Sequence, residues 1–119
     1  MSQITASTPL GEEIVIKVTR DIGHQGAHFL FPVESDFHID CSIFVPDVML
    51  RAFCSNVMTL PDEAPLLSFV FGHNAFSVTF SRQRGTTPDF EIVIRTINQD
   101  QPVTYQFKSH LFKLEFLCL

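Results

Sequence analysis

The sequence contains no tryptophan and a single tyrosine, yet it carries thirteen phenylalanines. Phe has no polar handle, so aromatic content of this kind serves as packing mass for a core before it serves as a wet recognition surface. Positive charge is scarce as well: eight Lys and Arg stand against thirteen Asp and Glu, a formal net charge of −5. A nucleic-acid binder needs a basic stripe to displace counterions from phosphates, and this chain has none. No apolar run approaches the roughly 18 residues of a membrane-spanning helix. The segment from Met1 to Glu13 lacks the basic and apolar regions of a secretory signal. Cys41, Cys54 and Cys118 form no CxxC pair, and without an export signal they read as reduced thiols of a cytoplasmic protein. Also missing are GxGxxG, the phosphate-cradling GxxxxGK loop, the GxSxG elbow of serine hydrolases and any internal repeat. The expectation is a protein with no catalytic residues, no metal and no cofactor.

A chain of 119 residues has material for one core, and 45% hydrophobic against 18% charged residues is the balance of a folded domain. Residues 1–11 are small and polar and read as a flexible lead-in, leaving 12–119 as a single domain. From Glu13 the chain alternates: Ile14, Ile16 and Val18 against Val15, Lys17 and Thr19, a half-buried strand. Ala27 to Val33 is a second extended piece. In the third, Phe37, Ile39, Cys41 and Ile43 face one way, and His38, Asp40 and Ser42 the other. Val45, Val48, Met49, Ala52, Phe53, Val57 and Leu60 then recur at spacings of three and four, which predicts a helix from Pro46 to about Thr59, closed by Pro61. Pro46 suits a first helical position, and Asp47 puts negative charge at the positive end of the helix dipole. Leu66–Phe71 and Ala75–Arg82 form a hairpin, Phe90, Ile92 and Ile94 begin another strand, and 98–102 is a turn. The tail alternates through Tyr105 and Phe107 and again through Phe112, Leu114, Phe116 and Cys118, with a short terminal helix as the alternative. Strands grouped around one helix indicate an α+β fold: a mainly antiparallel, meandering sheet of about six to eight strands with the helix on one face.

Chemistry is thin in this pattern. The pleat sends Cys41 away from His38, so the two form no local nucleophile–base pair. His24 and His28, in HQGAH, are spaced as a zinc half-site would be on a helix, but Gly26 opposes a helix there. With His38 and Asp40 they could line a sheet-mouth pocket for a metal or small molecule, which is one alternative reading. Arg82-Gln83-Arg84 reads as a solvated loop. The acidic residues are more suggestive: Glu34, Asp36 and Asp40 lie at the third strand, Asp47 opens the helix, Asp62 and Glu63 follow it, and Asp89 and Glu91 flank a late turn. Gathered on one surface, they would steer a basic partner.

The succession FHIDCSIF, VPDVMLRAFCSNVMTL, LLSFVFGHNAFSVTFSR and FEIVIRTI, over residues 36–97, resembles small bacterial toxin-immunity proteins. The likeness is to the wall-associated-protein immunity family and, more loosely, to immunity proteins of contact-dependent growth inhibition. The resemblance implies a non-enzymatic, cytoplasmic module that occludes the active site of a cognate toxin, often a basic nuclease. Acidic side chains would stand in for substrate phosphates, with Glu34, Asp36, Asp40, Asp62 and Glu63 as the contact residues. Contact with nucleic acid or membrane is not expected, and the chain would be a monomer or homodimer. A structural subunit pairing through a sheet edge is a further alternative, with the apolar end LEFLCL as the pairing strand.

Overall fold

The structure, a computed structural model, describes residues 2–36, 42–57, 59, 61, 65–71 and 76–118, without the side chains of residues 66, 67, 69, 71, 112 and 113. Among the described residues eight strands form one sheet: β1 (Ser2–Ser7), β2 (Glu13–Asp21), β3 (Gly26–Leu30), β4 (Ser42–Pro46), β5 (Pro65–Phe71), β6 (Phe76–Arg82), β7 (Phe90–Asn98) and β8 (Gln101–Ser109). The α-helix α1 (Asp47–Asn56) lies between β4 and β5 in the chain, and a 3-10 helix (Leu111–Cys118) follows β8. The strand order is β4-β3-β2-β1-β8-β7-β6-β5, antiparallel at every pairing. Two four-stranded meanders thus meet where β1 pairs with β8, and α1 crosses between the two outermost strands. This is the α+β, single-helix meander that the alternating pattern predicts.

The inward residues are those of the predicted phase. Ile16 and Val18 of β2, Phe29 of β3, Ile43 and Val45 of β4, Phe76, Val78 and Phe80 of β6, and Ile92 and Ile94 of β7 are all buried. Phenylalanine supplies the packing mass. Phe29 and Phe31 from the first meander meet Phe80 of the second edge-on, at ring-centroid distances of 6.1 and 6.5 Å. Phe80 continues to Phe90 at 5.9 Å, and Phe90 to Phe53 of α1 at 6.1 Å. Contacts between strands so far apart in the sheet order require the sheet to curl over on itself, with α1 at its open side. Edge-to-face rings favour this arrangement by about 0.5–1.5 kcal/mol per pair beyond their burial.

Four expectations are corrected. Residues 2–7 are no loose lead-in: they form β1, which pairs with β2 from Ser2↔Val18 to Ser7↔Glu13 and with β8 at Ser7↔Lys108. Ile4 and Ala6 are buried, and the Ser109 hydroxyl donates to the Thr5 carbonyl at 2.7 Å. Pro9 and Gly11 are therefore hairpin residues, with Gly11 at φ +89°. Second, Pro46 is the N-cap of α1 and Asp47 its first residue, and the helix closes at Asn56. Third, its buried stripe is Leu50 and Phe53 with half-buried Met49, Cys54 and Val57, while Val48 and Ala52 face solvent. At the start of the helix Asp47 binds Arg20 of β2 through two contacts of 2.7 and 2.8 Å, a pairing that this rotation of the helix allows. Fourth, Cys54 and Cys118 are joined in a disulfide rather than reduced, their Cα atoms 5.5 Å apart. Cys41 lies outside the described residues.

The tail takes the helical alternative. Leu111, Leu114 and Leu117 fall at the three-residue period of a 3-10 helix and line up on one side, Leu114 and Leu117 buried and Leu111 half-buried. The Asp89 carboxylate accepts the Leu111 N–H at 2.9 Å and so holds the start of this helix. Among the described residues no helix is long and apolar enough to cross a membrane.

Candidate functional site

The β7–β8 hairpin turns through Gln99 and Asp100, both at positive φ (52° and 61°), between the paired residues Asn98 and Gln101. Two-residue turns of this handedness match the twist of the strands they join. Their central amides point away from the ladder and need acceptors. Asp36 supplies both: its Oδ1 accepts the Gln99 N–H and its Oδ2 the Asp100 N–H, each at 3.1 Å. The Asp36 N–H in turn donates to the Ile97 carbonyl at 2.9 Å. One residue earlier, the Ser35 and Thr96 hydroxyls share a hydrogen bond of 2.6 Å. Glu34 accepts from the Asn98 side-chain amide at 3.3 Å through Oε2, and its carbonyl accepts the Tyr105 hydroxyl at 3.4 Å. Phe31, buried in the core, anchors the start of this segment.

The segment after β3 is thereby fastened to a turn more than 60 residues later, and Glu34, Asp36 and Asp100 stand exposed together at one end of the sheet. Of the five expected contact residues, Glu34 and Asp36 meet here. Asp40, Asp62 and Glu63 lie outside the described residues, as does His38. Asp100 was missed by sequence reasoning; the only signal for it was its place in the turn after Asn98. The other acidic candidates are engaged within the fold. Asp47 binds Arg20, Glu91 lies 3.6 Å from Lys108 on the neighbouring strand, and Asp89 holds Leu111 and accepts the Gln83 N–H through its carbonyl.

His24 and His28 do come together, around a carboxylate that sequence reasoning did not single out. Asp21 Oδ2 lies 3.0 Å from His24 Nδ1 and 2.9 Å from His28 Nε2, and Oδ1 accepts the His24 N–H at 3.1 Å. The hydrogen bond from His28, then that from the His24 backbone, hold the Asp21 carboxyl down at about 2 against the opposing effect of burial. Both rings lie against Phe44, at centroid distances of 5.2 Å for His28 and 6.5 Å for His24. Among the described residues no three His, Cys, Asp or Glu side chains are placed to hold a metal ion. A groove of about 340 Å³ runs between β2, α1 and the 3-10 helix, past Arg20, Asp47, Leu50, Arg51, Cys54 and Leu117. Of the three charged side chains lining it, Arg20 and Asp47 are paired with each other.

No family model matches the chain, and no curated protein or solved structure matches it either.

Proposed function

We propose that the protein is a non-enzymatic, protein-binding module of the immunity type, which neutralises a cognate bacterial toxin by covering its active site. The observation that carries this reading is the acidic tip. Glu34, Asp36 and Asp100 stand exposed on one unit, held by hydrogen bonds that both central amides of the turn donate to the Asp36 carboxylate. Carboxylates fixed in position meet a basic surface without the entropy cost of ordering long side chains. The chain's net charge of −5 adds long-range attraction for such a surface. Tyr105, half-buried beside Glu34, offers the amphipathic ring that interface hot spots favour. A nuclease domain fits this chemistry, because carboxylates can occupy the positions of substrate phosphates among its Lys and Arg side chains.

On this reading an adjacent upstream reading frame encodes a large secreted protein whose C-terminal domain is the partner, and the test pairs the chain with that domain. Glu34→Lys and Asp100→Lys should each slow association and, together, weaken binding by at least roughly tenfold, as reversing charges at a steered interface does. Unchanged affinity in the double variant removes the acidic tip from the interface. The compartment is decided by the thiols: an oxidised Cys54–Cys118 pair in cells places the protein outside a reducing cytosol, while free thiols place it in the cytoplasm.

A further inference from the structure

The 3-10 helix Leu111–Cys118 lies outside the strand ladder and rests on α1 and β1. Helices of this type have poorer hydrogen-bond geometry than an α-helix and rarely exceed four residues, yet this one runs for eight. Three attachments hold it. The Asp89 carboxylate accepts the Leu111 N–H at its start, Leu114 and Leu117 are buried along its length, and the disulfide to Cys54 closes its end. Clefts border it: about 260 Å³ beside Val18 and Leu50, 340 Å³ beside Leu50 and Cys54, and 410 Å³ beside Phe53 and Val57. Among its described side chains only Leu114 and Leu117 are buried, and they must offset the ordering of eight residues that no strand pairs with. The bond to Cys54 is what tips that balance towards the docked helix.

We infer that the Cys54–Cys118 bond is a redox latch: reducing it lets Leu111–Cys118 swing off α1 and opens an apolar cleft at Leu50 and Phe53 while the sheet stays folded. Cys118 is exposed and Cys54 half-buried, so a reductant reaches the outer sulfur. A thiolate of a dithiol attacks Cys118 Sγ, and Cys54 leaves as a thiolate and takes up a proton. The second thiol of the reagent then displaces Cys118 Sγ, which is protonated in turn, and the reagent departs as its own disulfide. Two electrons and two protons thus pass to the cysteine pair. The sheet does not depend on the latch. The ring contacts Phe29–Phe80–Phe90–Phe53, which join the two meanders to α1, include no residue of the 3-10 helix, and no strand takes a ladder partner from it. With the latch open, Leu50 and Phe53 lose Leu117 and Leu114, which border the same clefts. One covalent bond therefore biases an element with two positions, docked and released. The apolar end LEFLCL, expected as a pairing strand, is helical through Cys118 and serves as the latched element instead.

The test is hydrogen exchange on the full chain, oxidised and then reduced with dithiothreitol, with circular dichroism on the same samples. Reduction should speed exchange of the 111–118 amides roughly tenfold or more, as losing the cross-link does, while β2, β3, β6 and β7 keep their protection and the sheet signal is unchanged. Binding of a fluorescent apolar dye should rise on reduction and fall again when oxidised glutathione restores the bond. Cys54→Ser should behave as reduced wild type and ignore dithiothreitol. Should that variant fail to fold, Cys118→Ser, which alters the exposed partner, carries the same reading. Unchanged exchange of 111–118 on reduction overturns the inference, as does a pair that stays as free thiols under glutathione. So does loss of the whole sheet on reduction, which would make the bond a staple of the entire fold and not a latch on one helix.

Discussion

At the scale of single residues, Asp21 and Asp36 show how one carboxylate can organise a turn. Asp21 is held at about 2, below its ordinary 3.8, chiefly by its hydrogen bond from His28. A carboxyl with a depressed folded-state value contributes stability above its unfolded value and loses it as the pH falls through the folded one. The thermal midpoint should therefore decline between about pH 4 and pH 2. Asp21→Asn should flatten that part of the curve, and a parallel decline in the variant would show that other carboxyls cause it. Gly26, in the same hairpin, is required for a different reason: a Cβ there would collide with the Phe44 ring and the Val45 carbonyl. Gly26→Ala should cost about 1–3 kcal/mol in denaturant melts, as overpacking does, and a variant as stable as wild type would contradict the close β3–β4 approach.

At the scale of elements, the β7–β8 turn holds two residues other than glycine at positive φ. Gln99→Gly should relieve that strain and stabilise the fold by about 0.5–1 kcal/mol. Asp36→Ala should do the opposite by a similar amount through lost hydrogen bonds to the turn. Melts in which neither variant moves the midpoint would show that the clamp contributes nothing. The 3-10 helix is held to α1 by the Cys54–Cys118 bond, which closes a loop of 64 residues. Cys54→Ser should lose about 2–4 kcal/mol, measured as the difference between oxidised wild type and the variant.

These elements were legible in unequal measure, for physical reasons. Alternation of apolar residues marked β2, β3, β6 and β7 because each packs its large apolar residues on one face, even where Val93 of β7 and Ser81 and Arg82 of β6 are buried as well. β1 escaped because it carries two buried residues, Ile4 and Ala6, among small polar ones, and is a strand by virtue of pairing with neighbours on both sides. The tail is ambiguous because Leu114 satisfies both a period of two with Phe112 and Phe116 and a period of three with Leu111 and Leu117. The three-residue period prevails because it puts Leu114 and Leu117 together in the core beside α1. In the helix, spacing alone gave the right element and the wrong rotation. The rotation is set by which residues the sheet and the 3-10 helix bury, Leu50 and Phe53, and by partners as distant as Arg20, 27 residues before Asp47, beyond the reach of any periodicity.

At the scale of the whole molecule, the same limit applies to the site. Glu34 and Asp36 could be named from their acidity, but Asp100 joins them only through bonds across more than 60 residues. The curled sheet makes this possible by turning both meanders inward around their phenylalanines, leaving the strand ends and their turns as the outward surface. An acidic tip that steers a basic partner has a kinetic signature, since steering between charged surfaces raises the association rate and is screened by salt. The most direct test is the association rate with the proposed toxin partner, measured against ionic strength for wild type and Glu34→Lys/Asp100→Lys. The predicted result is a wild-type rate that falls steeply with salt and a variant that is roughly tenfold slower at low salt with a flattened dependence. Equal rates with equal salt dependence would contradict the proposal that this tip is the binding surface.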